Sequence, residues 1–377
     1  MRVLFSSTSG HGHVIPMLQL ALAFRAAGHD VLWATAAQAT PLVAATGIEV
    51  VPAGAHGEEE LALRGGVLRQ AADLPGDQRA PFVFPRMFGA ALAPRMAADL
   101  LPLAREWRPD LLVHEHAELA APLVGAVCGL PSVTHSFGTA VPVPILDDTR
   151  RRLAGLWEAH GLEVPAYAGC FRAGYLDICP PSVQTTPVDH VPDVHPLRPV
   201  DVPPAAERDA PTEPLVYVTL GTVHNDPQVL REVVSGVAGL PARVLVAAGP
   251  QVDPTSLGEQ PAGVVVESWV DQAAVLGRAT AVVSHGGSGT FLGALAHGLP
   301  QLCLPRAADQ FRNAEGGARA GAALVLGPPD LTAAAVRTAG ERLLADDGLR
   351  GAAGRVAAEI AAMPSPGDVA RLLAERA

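Results

Sequence analysis

Ala281-Val282-Val283-Ser284, then His285-Gly286-Gly287-Ser288-Gly289-Thr290, then an Ala/Leu-rich stretch from Phe291 to His297 decide how this chain is read. The apolar, β-branched run has the make-up of a buried strand, the small residues that of a turn, and the last segment that of a helix. Small residues let backbone N–H groups approach a ligand closely, and a helix start carries partial positive charge. Phosphate oxygens favour such a place, and His285 adds a side-chain donor there.

The same alternation extends to both sides. An apolar strand over Arg2 to Phe5 leads into a loop, Ser6 to His13. A helix is expected from about Ile15 to Ala27, with Pro16 in its first turn and Gly28 as its cap. Strands are expected at Asp30 to Ala34, Ile48 to Val51, Pro109 to Val113 and Ser132 to His135, with helices at about Gln38 to Ala45 and Leu119 to Cys128. Gly54 to Arg95 reads as a mixed segment, and Gly138 to Pro181 as irregular helices and loops. Prolines recur with charged residues between Pro187 and Pro214, which marks a linker. Strands resume at Leu215 to Thr219, Arg243 to Ala247, Gly263 to Glu267, Ala281 to Ser284 and Gln301 to Leu304. Strand–helix alternation at these spacings predicts an α/β protein with two doubly wound parallel sheets; one continuous sheet is the alternative.

Composition narrows the function classes. The 377 residues suffice for two domains, and 49% apolar with 17% charged residues describes a well-buried protein. A formal net charge of -11 offers nothing to nucleic acid or an anionic membrane. Cys128, Cys170, Cys179 and Cys303 show no metal-binding spacing and read as reduced thiols. The opening residues lack a signal-peptide core and no run is long enough for a membrane span, so a cytoplasmic location is expected.

In a doubly wound fold, ligands sit where loops leave the C-terminal ends of strands. Gly221-Thr222, Trp269-Val270-Asp271-Gln272, the His285 turn and Asp309-Gln310 occupy such loops in the second half. Trp269 offers a flat face to a nucleobase, or a core or domain-interface ring if it is purely structural. Asp309-Gln310 suits the vicinal hydroxyls of a sugar, or a plain helix start. In the first half, Gly10-His11-Gly12-His13 brings two histidines to the end of the first strand. Either can take a proton near neutral pH if a carboxylate orients it, and Glu115 is the candidate. Dinucleotide binding fails on this loop: Ile15 replaces the third glycine, and Leu32-Trp33-Ala34-Thr35 lacks the ribose-binding acid. A metal pair at His11 and His13 lacks a third ligand.

Trp269-Val270-Asp271-Gln272, His285 to Thr290, Gly298-Leu299-Pro300-Gln301 and Asp309-Gln310 stand in an order and spacing that resemble inverting nucleotide-sugar glycosyltransferases of the GT-B fold. The likeness is to the bacterial branch that decorates antibiotics, and it covers essentially the whole chain. Gly10-His11-Gly12-His13-Val14-Ile15-Pro16 supports it. The resemblance implies two Rossmann-like domains facing across a cleft: an acceptor domain over residues 1–200, with a helix at about 365–377 packing back on it, and a nucleotide-sugar domain over 211–362. It implies His13 as general base, with His11 as the rival, and Glu115 as its partner. Gly221, Thr222, Trp269, Val270, Gln272, His285, Gly287, Ser288, Gly289 and Thr290 would hold the nucleotide and its diphosphate, and Asp309 and Gln310 the donor sugar. Asp271 departs from a proline common in the family, and Gly293 from the ribose-binding Glu of plant relatives.

The reaction so implied needs no cofactor and no metal: a nucleoside-diphosphate sugar, thymidine or uridine, is a co-substrate, and a deoxysugar is the expected cargo. The acceptor is expected to be a small hydrophobic aglycone meeting Phe82, Phe88 and Phe137, in a pocket left open by the short segment before Trp107; the same rings would also serve as core. An epimerase or hydrolase on this fold, or a non-catalytic activator, are the competing readings.

Overall fold

The computed structural model describes residues 1–200, 202, 213–221, 226–249 and 252–377. It divides into two units: Met1–Cys179 with Thr186–Leu197 and Pro364–Ala377, and Pro180–Thr185 with Arg198–Met363.

The first unit runs β1 (Arg2–Ser7), α1 (His11–Ala26), β2 (Asp30–Thr35), α2 (Thr40–Ala44), β3 (Glu49–Pro52), α3 (Gly57–Gln70), α4 (Gly76–Phe84), a π-helical stretch (Pro85–Leu92), α5 (Ala93–Trp107), β4 (Leu111–Glu115), α6 (Ala121–Cys128), β5 (Ser132–His135), α7 (Val143–Glu158), β6 (Tyr175–Asp177) and β7 (Val194–Pro196). The strands form one parallel sheet ordered β3-β2-β1-β4-β5-β6-β7. Both faces of β1 are covered, as a parallel sheet requires. Phe5 stacks on Trp33 at 5.3 Å and meets Phe24 of α1. Leu4, on the opposite face, joins Leu32, Leu112, Met96 and Leu100.

Three expectations need correction here. Helix α1 begins at His11, not Ile15. Gly10, at φ 115, turns the chain out of β1, and its carbonyl accepts the N–H groups of His13 and Val14. Pro16 lies inside the helix, where its missing N–H leaves only the Gly12 carbonyl undonated. The segment from Gly54 to Arg95 is mostly helical. Its prolines read as breakers, yet Pro85 and Pro94 begin elements and Pro81 is absorbed within α4. Its apolar residues are also split between the main core and a small cluster of Ala55, Val67, Met87 and Leu92, which blurs the period. Last, β7 lies within the stretch read as linker.

The second unit runs β8 (Leu215–Thr219), α8 (Pro227–Val237), β9 (Arg243–Ala247), β10 (Val264–Glu267), α9 (Gln272–Leu276), β11 (Ala281–Ser284), α10 (Ser288–Ala296), β12 (Gln301–Cys303), α11 (Gln310–Arg319), β13 (Ala323–Val325), α12 (Ala333–Ala345) and α13 (Asp347–Ala362). Its parallel sheet is ordered β10-β9-β8-β11-β12-β13. The chain closes with α14 (Pro366–Arg376), which belongs to the first unit and packs on α1.

Both units are Rossmann-like. In each, strand order reverses beside the first strand, between β1 and β4 and between β8 and β11. Such reversals splay the following loops apart and open a crevice at the carboxyl ends of the strands. No helix among the described residues is long and apolar enough to cross a membrane.

Candidate active site

In the first unit the loop after β1 and the end of β4 meet at that reversal. Glu115, the last residue of β4, is fully enclosed. Its Oε1 accepts from the Thr8 hydroxyl at 2.7 Å and the Thr8 N–H at 3.2 Å; its Oε2 accepts from the Ala117 N–H at 2.6 Å. Burial alone would raise its pKa. The His13 imidazole, with the donors from Ala117 and Thr8, outweighs burial and pulls it down to about 2. The result is a carboxylate that keeps its charge inside the protein.

His13 Nδ1 stands 3.2 Å from Glu115 Oε1, with 23% of the side chain exposed. The ring N–H is not aimed along that contact. Such pairs are commonly loose before substrate binds. With Nδ1 facing Glu115, Nε2 is the ring atom left to face a substrate. His11, at the first position of α1, is exposed. Phe88 and Phe137 flank the His13 ring at 5.5 and 5.3 Å. Phe82 does not join them; its ring lies 3.7 Å beneath the Arg86 guanidinium.

Sequence reasoning missed Thr8, whose part depends on a contact from the neighbouring strand's loop, and Ala117, which bonds Glu115 from two residues on. It also missed a polar cluster nearby, in which the Ser9 hydroxyl donates to Glu60 Oε1 and Arg64 Nε donates to the same oxygen at 2.6 Å.

In the second unit the His285 turn follows β11, beside β8 and Gly221, two residues past its end. The imidazole is seated between two glycines. A Cβ at Gly221 would stand 2.7 Å from His285 Cε1, and one at Gly287 only 2.3 Å from Nε2. Both glycines are therefore set by the space the ring takes, and Gly221 also has φ 81. Thr222 lies outside the described residues. Gly287 caps α10 without a side-chain bond, so the first N–H groups of α10, from Ser288, Gly289 and Thr290, form the helix start.

Trp269, just past β10, is 75% exposed, which removes the core reading of this ring. Val270 packs against the cluster of Tyr217, Val275, Leu276 and Val282. Asp271 caps α9, accepting from the Ala273 and Ala274 N–H groups. Gln272 Oε1 accepts from the Thr290 hydroxyl at 3.0 Å, which ties the Trp269 segment to the start of α10.

Asp309 and Gln310 differ from a free pair of sugar ligands. Asp309 Oδ2 accepts from the Ser288 hydroxyl at 2.5 Å and from Asn313 Nδ2 at 3.0 Å. Gln310 is buried, and its Oε1 accepts the Arg306 and Ala307 N–H groups. Asn313 was missed by sequence reasoning. It also donates to the Gly286 carbonyl at 2.9 Å and so braces the turn. Its place one helical turn after Asp309 was the available signal.

The erythromycin biosynthesis protein CIII-like N-terminal domain matches residues 22–266, and the C-terminal domain of that family matches residues 231–375. The L-demethylnoviosyl transferase of Streptomyces niveus is 33% identical over 398 aligned residues, covering 99% of this chain and 98% of its own. The elloramycin glycosyltransferase ElmGT of Streptomyces olivaceus is 34% identical, with 99% and 97% covered. Among solved structures, the glycosyltransferase SnogD from Streptomyces nogalater superposes with a TM-score of 0.77 at 32% identity, covering 100% of this chain and 99% of that one. The glycosyltransferase SsfS6 of Streptomyces sp. SF2575, complexed with thymidine diphosphate, gives 0.80 at 28% identity over 100% of each. Two Rossmann-like sheets, the paired His13 and Glu115, the His285 turn and these full-length similarities lead to one assignment: the chain belongs to the EryCIII-like family of GT-B glycosyltransferases.

Proposed function

We propose that this glycosyltransferase moves a deoxysugar from a thymidine-diphosphate sugar to a hydroxyl of a small hydrophobic natural product, with inversion at the anomeric carbon and His13 as general base. Nε2 of His13 takes the hydroxyl proton as the acceptor oxygen bonds to the anomeric carbon. The bond from that carbon to the diphosphate oxygen breaks on the opposite face, and thymidine diphosphate leaves. Glu115 stabilises the imidazolium that forms. The N–H groups at the start of α10 and the imidazole of His285 meet the charge growing on the leaving phosphate, work that requires no metal ion. Trp269 stacks on the base, and Gln272 is held beside it through Thr290.

The observation that carries this reading is the buried Glu115 carboxylate, held charged beside a partly exposed His13. The thymidine diphosphate in SsfS6 and the activities of relatives, a tylactone mycaminosyltransferase and a TDP-daunosamine transferase among them, support the donor class. Phe88 and Phe137 around His13 support an apolar acceptor.

His13→Ala is expected to lower kcat by about 10²–10⁴-fold while leaving the thermal shift given by thymidine diphosphate unchanged. His11→Ala is expected to stay near wild type. Equal losses from both substitutions, or loss of the nucleotide shift in His13→Ala, would reject His13 as base.

A further inference from the structure

Beside the His13–Glu115 pair the first unit holds a partly open recess. Thr8 and Ala117, which bond Glu115, and Phe88, which flanks His13, all line it, so recess and pair share a wall. Leu92 and Met96 continue the apolar side. Its polar end is the cluster of Ser9, Glu60 and Arg64.

That cluster is incompletely satisfied. Glu60 is only 3% exposed. Its Oε1 receives the Ser9 hydroxyl and Arg64 Nε, while Arg64 Nη2 donates to the Ser9 oxygen at 2.8 Å. Oε2 is buried and has no donor among the described residues. Leaving a buried carboxylate oxygen unpaired costs more than a typical hydrogen bond gains. Arg64 already balances the charge, so a second cation is not called for. A neutral group that donates a proton is.

We propose that Glu60 Oε2 accepts a hydrogen bond from a second hydroxyl of the acceptor, which makes Glu60 a specificity-determining residue for polyhydroxylated apolar acceptors. The inference rests on the reading of His13 as the base that receives the first hydroxyl. Ser9 and Arg64 act through Glu60 by fixing its orientation, and Phe88, Leu92 and Met96 cover the carbon frame between the two hydroxyls.

The test compares 2,6-dihydroxynaphthalene with 2-naphthol, titrated calorimetrically into the full chain with thymidine diphosphate present. The two share one frame and one hydroxyl, and only the diol carries a second hydroxyl to offer Glu60. Sites built to bond a hydroxyl discriminate strongly against its absence, and an advantage of about tenfold or more in Kd is expected for the diol. Glu60→Leu should bring the two within about threefold of each other while 2-naphthol binding and the thymidine diphosphate shift hold. If Glu60→Leu does not fold, Glu60→Gln serves instead. Its neutral amide should cut the advantage at least about threefold, since bonds to charged acceptors are the stronger ones. No diol advantage in the wild type, an advantage kept in the variant, or no binding of either probe would overturn the proposal. A diol preference that persists in a protein without transfer activity would instead reject the reading of His13 and leave Glu60 in place.

Discussion

Glu115 and Glu118 share one turn, the Glu118 N–H donating to the Glu115 carbonyl at 2.9 Å, yet their surroundings drive them apart. Donors and the His13 imidazole hold Glu115 charged. Glu118 is pushed up to about 7, first by burial and further by the charge on Glu115, against the pull of the Ala120 and Ala121 N–H groups and Ser6. The two therefore oppose each other in pH dependence. As pH rises from about 4.5 to about 7, the unfolded chain ionises Glu118 while the fold retains its proton, so stability falls through that window. As pH drops from about 4.5 toward 2, the fold keeps Glu115 charged while the unfolded chain takes up a proton, and the stability that Glu115 contributes is lost there. Glu118→Gln keeps an oxygen for the Ala120 N–H, loses the one that accepts from Ala121, and cannot ionise. Its unfolding free energy relative to wild type, read by chemical denaturation, is expected to rise between pH 5 and 7 by roughly 3 kcal/mol. A difference that stays flat across that range would mean Glu118 is charged in the folded protein.

At the scale of elements, the start of α10 depends on how close Gly287 comes to His285. Gly287→Ala places a methyl where the ring now stands, so the imidazole must move away from the helix start. A hydrogen bond to a charged group is worth about 1.5–3 kcal/mol, and thymidine diphosphate affinity is expected to fall about 10- to 100-fold. Gly354→Ala, on α13 and clear of neighbours, is the control and should bind as wild type. Unchanged affinity in Gly287→Ala would remove His285 from the diphosphate site. Elements also differ in how plainly they were written. Helix α7 was legible and overlooked: Ile145, Leu146, Thr149, Leu153 and Trp157 lie on one buried face, with Arg151 and Arg152 on the other. Helix α4 was not legible, because Pro81 interrupts it and its buried contribution is Phe84 alone.

For the whole molecule, the path of the chain matters as much as its elements. Helix α14 comes last in sequence but belongs to the first unit, with Val369, Ala370 and Leu373 buried and a capping box from Ser365 and Asp368 at its start. Removing residues 364–377 should uncover the α1 face and lower stability by about 3–6 kcal/mol, from two large side chains at about 1.5–3 each. Limited proteolysis should then cut first within the first unit; an unchanged digestion pattern would show that α14 contributes little there. Most of the strands and the strand–turn–helix at His285 could be taken from the sequence because each is encoded locally, by short-range apolar patterning or by small residues in a row; the pairing of His13 with Glu115 joins distant segments and was reached through the family resemblance. Tertiary structure alone decided that Thr8 holds Glu115, that Asn313 reaches Gly286 and Ser288, and that Ser9 and Arg64 leave Glu60 with an unpaired oxygen. Those facts turn on which donors, most of them distant in sequence, packing brings within about 3 Å of a buried oxygen, and no local pattern along the chain records that distance.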